Sequence, residues 1–263
     1  MLVLCGPPMK IRIDKLLVER GLAPTRERAQ AMILAGRVLV NEQKVEKAGN
    51  AVDPSSEIRL LGQEMPFVSR GGLKLERALE HWDTDVSGKS GLDIGASTGG
   101  FTDCLLQRGA RHVVAVDTGY GQIDARFRSD HRVRLLEKTN ARFLEPEQVP
   151  EDIDIMVMDV SFISATLVLP AVLLAVRQGK PRHRRDLVVL VKPQFEAGRE
   201  SVGKGGIVRD PVTQQAAVEK VSAAVRDLGG EKIEVIESPI LGTEGNKEFL
   251  LHAVFEGSGE TKA

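Results

Sequence analysis

Apolar positions in the first sixty residues recur first at helical and then at strand spacing. In IDKLLVERGL, Ile13, Leu16, Leu17 and Leu22 predict a short amphipathic helix, with Gly21 as its stop. Thr25 is placed to cap a second helix, RERAQAMILAG, that Gly36 ends. Short strands are predicted at RVLVN and KVEK, followed by a turn at DPSS and a strand at EIRLL. This is the pattern of a small α+β unit.

The pattern then changes. GQEMPFVSRGG reads as a joint, stiffened by Pro66 and loosened by Gly71 and Gly72, before a helix, LKLERALEHW, with Leu73, Leu75, Ala78 and Leu79 available for packing. Beyond it, SGLDIGA, HVVAVD, IMVMDV and LVVLVKP are apolar runs without polar alternation, as in strands covered on both faces. FTDCLLQRG, LVLPAVLLAV and QQAAVEKVSAAVRDLG read as helices between or after them. KIEVIE and EFLLHAVFE come late with only a turn-rich loop between, as antiparallel strands of an otherwise parallel sheet would. The expected organisation is a small domain at 9–62, a linker at 63–73 and a doubly wound α/β domain at 74–257.

Composition narrows the class. At 263 residues, 42% hydrophobic and 28% charged, the chain suits about two globular domains. The net charge of −1 does not announce a nucleic-acid binder, but its distribution is uneven. From Lys10 to Lys47 nine Lys/Arg face five acids, a local surplus of +4. Cys5 and Cys104 form no metal-binding pattern and suit a reducing cytoplasm, so no metal is expected. MLVLCGPPMK is a poor signal peptide, and Met9 is an alternative start. The apolar stretch at 165–176 contains Pro170 and is shorter than the ~20 residues of a membrane helix.

LDIGASTGGFTDCLLQRG is a strand, a glycine-rich turn and a helix. Gly95 permits the sharp turn, while Gly99 and Gly100 would let a ligand approach the backbone before Phe101. The GxxxGG spacing is neither the GxGxxG of a dinucleotide site nor a phosphate loop. Asp93 adds an anion beside the turn, which disfavours phosphate and suits a cation. Asp117, 24 residues on, ends the next strand where an acid can accept ribose hydroxyls. Acid, turn and second acid resemble an S-adenosylmethionine site; Ser97 in the turn, Asn140 in EKTNAR and Asp159 complete the expected cofactor contacts.

The stretch DLVVLVKPQFE ends a buried strand in Lys192. Asp159 ends VMDVSF, Glu248 opens the last strand in GNKEF and Lys74 starts the helix leading into the first strand, so two lysines and two acids are expected to converge near the carboxyl ends of the strands. A ribose 2′-hydroxyl is a poor nucleophile unless its proton leaves as the methyl group arrives, and a lysine in its amine form can take it. Such assistance is worth about 10²–10⁴-fold, or roughly 3–5 kcal/mol of barrier.

RIDKLLVERGLAPTRERAQAMILAGRVLVNEQKVEKAG resembles the S-four RNA-binding domain named after a small-subunit ribosomal protein. That resemblance implies phosphate contacts from Arg12, Lys15, Arg26, Arg28, Arg37 and Lys44, with Arg70 at the joint as a further RNA contact. VSRGGLKL, DIGASTGGFTD, VDTGYGQ, TNAR, MDVSFIS, LVKPQFE, GGIVRD and GNKEF extend the likeness over 10–256. They resemble the TlyA-type family, called haemolysins or ribosomal RNA 2′-O-methyltransferases, whose catalytic half is like the FtsJ/RrmJ enzymes. The resemblance implies a Rossmann-like methyltransferase domain, S-adenosylmethionine as cofactor and a Lys-Asp-Lys-Glu tetrad at Lys74, Asp159, Lys192 and Glu248. It also implies a cytidine ribose of ribosomal RNA, naked or in an assembled subunit, as substrate, with no obligate protein partner.

The family's dual-substrate members have a longer helical tail than EGSGETKA, which favours the large subunit as target. A membrane-damaging haemolysin would need a spanning or strongly amphipathic segment, and none is evident. A catalytically idle RNA chaperone could dispense with the tetrad. RQGKPRHRRD, at 177–186, is either a solvated loop or a further phosphate contact through Arg182, Arg184 and Arg185.

Overall fold

A computed structural model describes residues 10–61, 65–176, 184–198, 200, 202–203, 205–242 and 245–257. The residues before Lys10, including Cys5 and the alternative start at Met9, lie outside these, as do 177–183 of the basic loop and the last six residues. The chain divides into two compact units, Met1–Glu64 and Met65–Ala263.

The first unit contains β1 (Ile11–Arg12), α1 (Ile13–Glu19), α2 (Arg26–Leu34), β2 (Val38–Val40), β3 (Gln43–Lys44), β4 (Ala51–Val52) and β5 (Ile58–Leu60). Thr25 does cap α2, its hydroxyl accepting from the Arg28 N–H at 3.2 Å. After α2 the chain reverses at Gly36, whose φ of +68° lets the Arg37 N–H reach the Met32 carbonyl at 3.0 Å. β2 is central between β3 and β5, while β1 pairs antiparallel with β4. Ile13, Leu17, Ala29, Ile33 and Val38 close the core between helices and sheet. The strand expected at KVEK is confined to Gln43–Lys44.

The second unit runs α3 (Gly71–His81), β6 (Ser90–Ile94), α4 (Gly100–Gln107), β7 (His112–Val116), α5 (Ala125–Arg128), β8 (Val133–Leu136), β9 (Ile155–Met158), α6 (Ala165–Val176), β10 (Arg185–Val191), α7 (Pro193–Glu196), α8 (Pro211–Asp227), β11 (Glu231–Glu237) and β12 (Phe249–Phe255). These strands form one sheet in the order β11-β12-β10-β9-β6-β7-β8. β10, β9, β6, β7 and β8 are mutually parallel, and β12 runs antiparallel to both β10 and β11. The late strands pair antiparallel with each other as expected, but only β12 opposes the rest of the sheet; the edge strand β11 runs in the same direction as β10.

Alternation explains why the central strands are apolar throughout. Leu92, Val114, Met156 and Val189 pack on one face with α6 and α8, whereas Val113, Ile155, Val157 and Val188 pack on the other with α3 and α4. The second unit begins earlier than the expected linker allows. Phe67 is buried, Val68 donates its N–H to Asp103 at 2.8 Å, and α3 starts at Gly71.

The chain leaves β6 toward β7 on one side and β9 on the other. That reversal opens a crevice at the carboxyl ends of the strands, the usual ligand site of such sheets. Arg185 lies at the opposite end of β10 from Lys192, roughly 20 Å away at strand rise. Among the described residues no helix is long and apolar enough to cross a membrane.

Candidate active site

The crevice begins at Gly95, immediately after β6. Its φ is +84°, and a Cβ there would lie 2.5 Å from the Asp159 carbonyl oxygen, so only glycine lets the turn after β6 pass the end of β9. Ser97 follows with φ +48° and donates its N–H to Asp117 Oδ2 at 2.8 Å; the other Asp117 oxygen accepts from the Gly119 N–H at 2.6 Å. Asp117 thus fastens the glycine turn to the loop after β7 while remaining on the cavity wall.

Two adjoining cavities share Gly95, Ser97, Asp159 and Ser161. The larger, about 440 Å³, is lined by Asp117, Thr118, Gln122, Thr139, Asn140, Val160, Phe162 and Ile163 among others. Its size and mixed apolar and polar lining suit a nucleoside. Asn140 also accepts the Arg142 N–H at 3.1 Å through its side-chain oxygen, leaving its amide N–H groups for a ligand. The smaller cavity, about 250 Å³, is lined by Ser69, Arg70, Lys74, Phe101, Asp159, Ser161 and Lys192 with the glycine turn, Gly100 included.

Three members of the expected tetrad face this smaller cavity. Lys192 Nζ lies 2.6 Å from Asp159 Oδ1 and donates to Ser161 Oγ at 2.8 Å. Among the described residues Asp159 Oδ1 has no aligned hydrogen bond, so the contact with Lys192 is ionic. Lys74 Nζ donates to Glu248 Oε2 at 2.5 Å, and Glu248 is buried behind it against Gly242. The four residues therefore stand as two lysine–carboxylate pairs.

Two expected cofactor contacts lie elsewhere. Asp93, on β6, is fully buried and off both cavity walls; Oδ2 accepts from Thr102 at 2.6 Å, and Oδ1 has no hydrogen-bond partner among the described residues. Burial, and after it the nearby carboxylates of Asp159 and Asp117, push its carboxyl up to about 7. It underpins the turn instead of touching a ligand in the crevice. Gly99, with φ +94°, is also off both walls, and a Cβ there would meet Phe127. Burial likewise pushes the Cys104 thiol up to about 12, leaving it no nucleophile.

The basic residues of the first unit divide. Arg12 and Arg26 both bind the buried Asp14, at 2.9–3.0 Å, and Gln30 adds a third donor at 3.0 Å. Those donors, led by Arg12, hold the Asp14 carboxyl far below its usual range. Arg37 donates to the Leu61 carbonyl at 3.1 Å. Among the described residues Lys15, Arg28 and Lys44 are exposed and make no ion pair. In the basic loop, Arg185 is buried and donates to the Ile153 carbonyl at 2.9 Å, while Arg184 pairs with Asp186 at 3.0 Å. Neither is a free phosphate contact; Arg182 lies outside the described residues.

Residue patterns alone do not single out Ser69, Ser161, Thr102 or Phe162. Phe162 is 91% exposed at the lip of the larger cavity, with φ +64° and its ring 5.2 Å from that of Phe195. Its signal is a bulky residue in that left-handed conformation, three positions after Asp159, which only the backbone reveals.

The profile of FtsJ-like methyltransferases matches residues 67–255, most of the chain. The chain belongs to the FtsJ-like methyltransferase family. An S4 domain profile matches residues 11–58 ahead of it. The chain is 44% identical, over 92% of its length and 89% of the relative's, to the 16S/23S rRNA (cytidine-2′-O)-methyltransferase TlyA of Mycobacterium tuberculosis. It is 45% identical, over 95% of its length and 88% of the relative's, to YqxC of Bacillus subtilis, described as a candidate rRNA methyltransferase. A solved structure from Streptococcus thermophilus, described as a candidate hemolysin, superposes with a TM-score of 0.71 at 42% identity, covering 95% of this chain and 90% of that one. The FtsJ-like fold thus carries an S4 domain at its amino-terminal side, the order expected from the motifs.

Proposed function

We propose that this FtsJ-like enzyme uses S-adenosylmethionine to methylate the 2′-oxygen of a cytidine ribose in ribosomal RNA. The observation that carries the reading is the meeting of Lys74, Asp159 and Lys192 on one cavity wall beside a nucleoside-sized cavity. The substrate class is that of the TlyA relative's name, and the S4 domain supports an RNA partner.

The residues present fit the cofactor. Asp117, Thr139 and Asn140 offer acceptors and donors to an adenosine, and the carboxylate of Asp159, on the wall the two cavities share, suits a sulfonium and an ammonium. Asp159 and the glycine turn with Ser97, Gly100 and Phe101 would hold the methionine portion. When bound, S-adenosylmethionine supplies an electrophilic methyl group on positively charged sulfur.

Lys192, an ammonium in its resting pair with Asp159, acts after yielding a proton to solvent: as the amine it accepts the 2′-hydroxyl proton while the oxygen takes the methyl group. Asp159 and Ser161 fix its position. Lys74, backed by Glu248, directs positive charge at the entering ribose oxygen, and Arg70 at the mouth is available to a backbone phosphate. The target nucleotide is flipped from its helix so that its hydroxyl reaches Lys192, and Phe162 offers the exposed aromatic face on which an extruded base would stack. Large-subunit RNA, naked or in an assembled subunit, in the cytoplasm is the substrate we favour; 23S rRNA is one of the two in the TlyA relative's name.

Methylation of separated unmodified large and small subunits with labelled cofactor tests the reading. Ribose label on large-subunit RNA supports it, and label on a base or on protein contradicts it.

A further inference from the structure

β9 and β10 pair in parallel only as far as Met158 and Val189. Asp159 and Lys192 both lie beyond that last pair: Asp159 is tied to β6 through its N–H to the Ile94 carbonyl at 2.9 Å, and Val191, before Lys192, pairs with Phe249 of β12, but no β9–β10 pairing reaches them. Yet their charged atoms sit 2.6 Å apart. Past the end of that ladder, side chains join the two segments directly to each other.

Glu196 joins them. It ends α7, four residues after Lys192, and its carboxylate is buried. Oε1 accepts the Ala165 N–H at 2.6 Å, and Oε2 accepts the Ser164 hydroxyl at 2.5 Å. Both donors belong to the loop that begins at Asp159 and ends at the start of α6. From α8, Lys220 pairs with Oε2 at 3.2 Å and donates to the Glu196 carbonyl at 2.8 Å. A buried carboxylate with a cation and two further donors is a fixed point.

The connection closes a ring. Lys192 reaches Asp159 and Ser161 at one end of the loop, and Glu196 reaches Ser164 and Ala165 at the other. Between them stands Phe162 with φ +64°, a conformation costing on the order of 1–3 kcal/mol that persists only where the surroundings over-determine it. Val160, Phe162 and Ile163 of the same loop line the larger cavity. One carboxylate therefore braces both the lysine–aspartate pair and a wall of the cofactor site.

We propose that Glu196, held by Lys220, is a positioning residue for methyl transfer, clamping the Asp159–Ala165 loop to the Lys192 turn. This rests on the reading of Lys192 as the base. Release of the clamp lets the pair drift, and misplacement by about 1 Å costs on the order of 100-fold in rate.

Full-length Glu196→Ala and Glu196→Gln, with Lys220→Met as the variant that leaves the carboxylate in place, are compared with wild type well below their melting temperatures. The alanine variant is expected to lose about 10- to 100-fold in kcat with KM for ribosomal RNA unchanged. Glutamine, which keeps an acceptor for the Ala165 N–H, recovers part of that loss, and Lys220→Met loses less than alanine. Amide hydrogen exchange across 160–165 speeds up in the alanine variant, a readout that needs no activity. A folded Glu196→Ala with wild-type kcat, or with unchanged exchange over that loop, overturns the proposal. Failure of the reading of Lys192 would show separately, as methylation persisting in Lys192→Ala while the exchange result stands.

Discussion

Glu248 and Lys74 are 174 residues apart in the chain, and their carboxylate and ammonium meet at 2.5 Å at the base of the cavity. A buried pair of this kind costs more when one partner is removed than when both are replaced. Lys74→Ala should destabilise the protein by about 3–5 kcal/mol because Glu248 is left charged and unpaired. Lys74→Met with Glu248→Gln should recover most of that stability while methyl transfer stays low. Denaturant unfolding and initial rates on the same samples separate the two effects.

Gly95 permits no side chain. Gly95→Ala puts a Cβ 2.5 Å from the Asp159 carbonyl in a left-handed conformation, so the turn must move away from the strand end that carries Asp159. Calorimetric titration with S-adenosylhomocysteine should show affinity falling at least about 10-fold, with the first unit's RNA binding intact.

Asp93 makes stability depend on pH in the direction opposite to a salt-bridged carboxylate. Its folded value, about 7, lies above the ordinary aspartate value of 3.8. Its contribution is therefore fully present below about pH 4 and is lost as pH rises through 7. The difference is worth roughly 4 kcal/mol at most. Asp93→Asn keeps an acceptor for Thr102 and should raise the melting temperature at pH 8 relative to wild type, with the gain vanishing toward pH 4.

Cations of the first unit should not be equivalent in RNA binding. Lys15, Arg28 and Lys44 are exposed and form no ion pair among the described residues. Their replacement by alanine should weaken ribosomal RNA binding and flatten its salt dependence by roughly one unit of slope for each phosphate left without its cation. Arg12→Ala and Arg26→Ala should also lower the thermal stability of the unit, since each removes a donor from buried Asp14. Filter binding across a salt series together with melting curves distinguishes the two groups.

The alternation of apolar runs with amphipathic segments is enough to read the doubly wound sheet, because strands such as Leu187–Val191 are buried on both faces and carry no polar alternation. The pairing of Ile11–Arg12 with Ala51–Val52 is not legible, since two-residue strands have no period. Asp159, Lys192 and Glu248 are visible as charges beside strand ends, and Lys74 as a charge early in the helix before β6. Its pairing is not: the strand register and the long reach of Glu248 decide which lysine meets which acid. Asp93 is misplaced by sequence reasoning for a related reason, because an acid at a strand end faces either the crevice or the core, and only the packing of Thr102 over it settles which. Glu196 and Asp14 look like surface charges in a string of letters, and burial makes them structural.

The most direct measurement is transfer of labelled methyl from S-adenosylmethionine to separated unmodified ribosomal subunits, with Lys192→Ala alongside wild type and modified nucleosides resolved by mass spectrometry. The account predicts 2′-O-methylcytidine in large-subunit RNA with wild type, and a loss of at least about 100-fold with the variant even though S-adenosylhomocysteine still binds. Full ribose methylation by Lys192→Ala would contradict the central assignment.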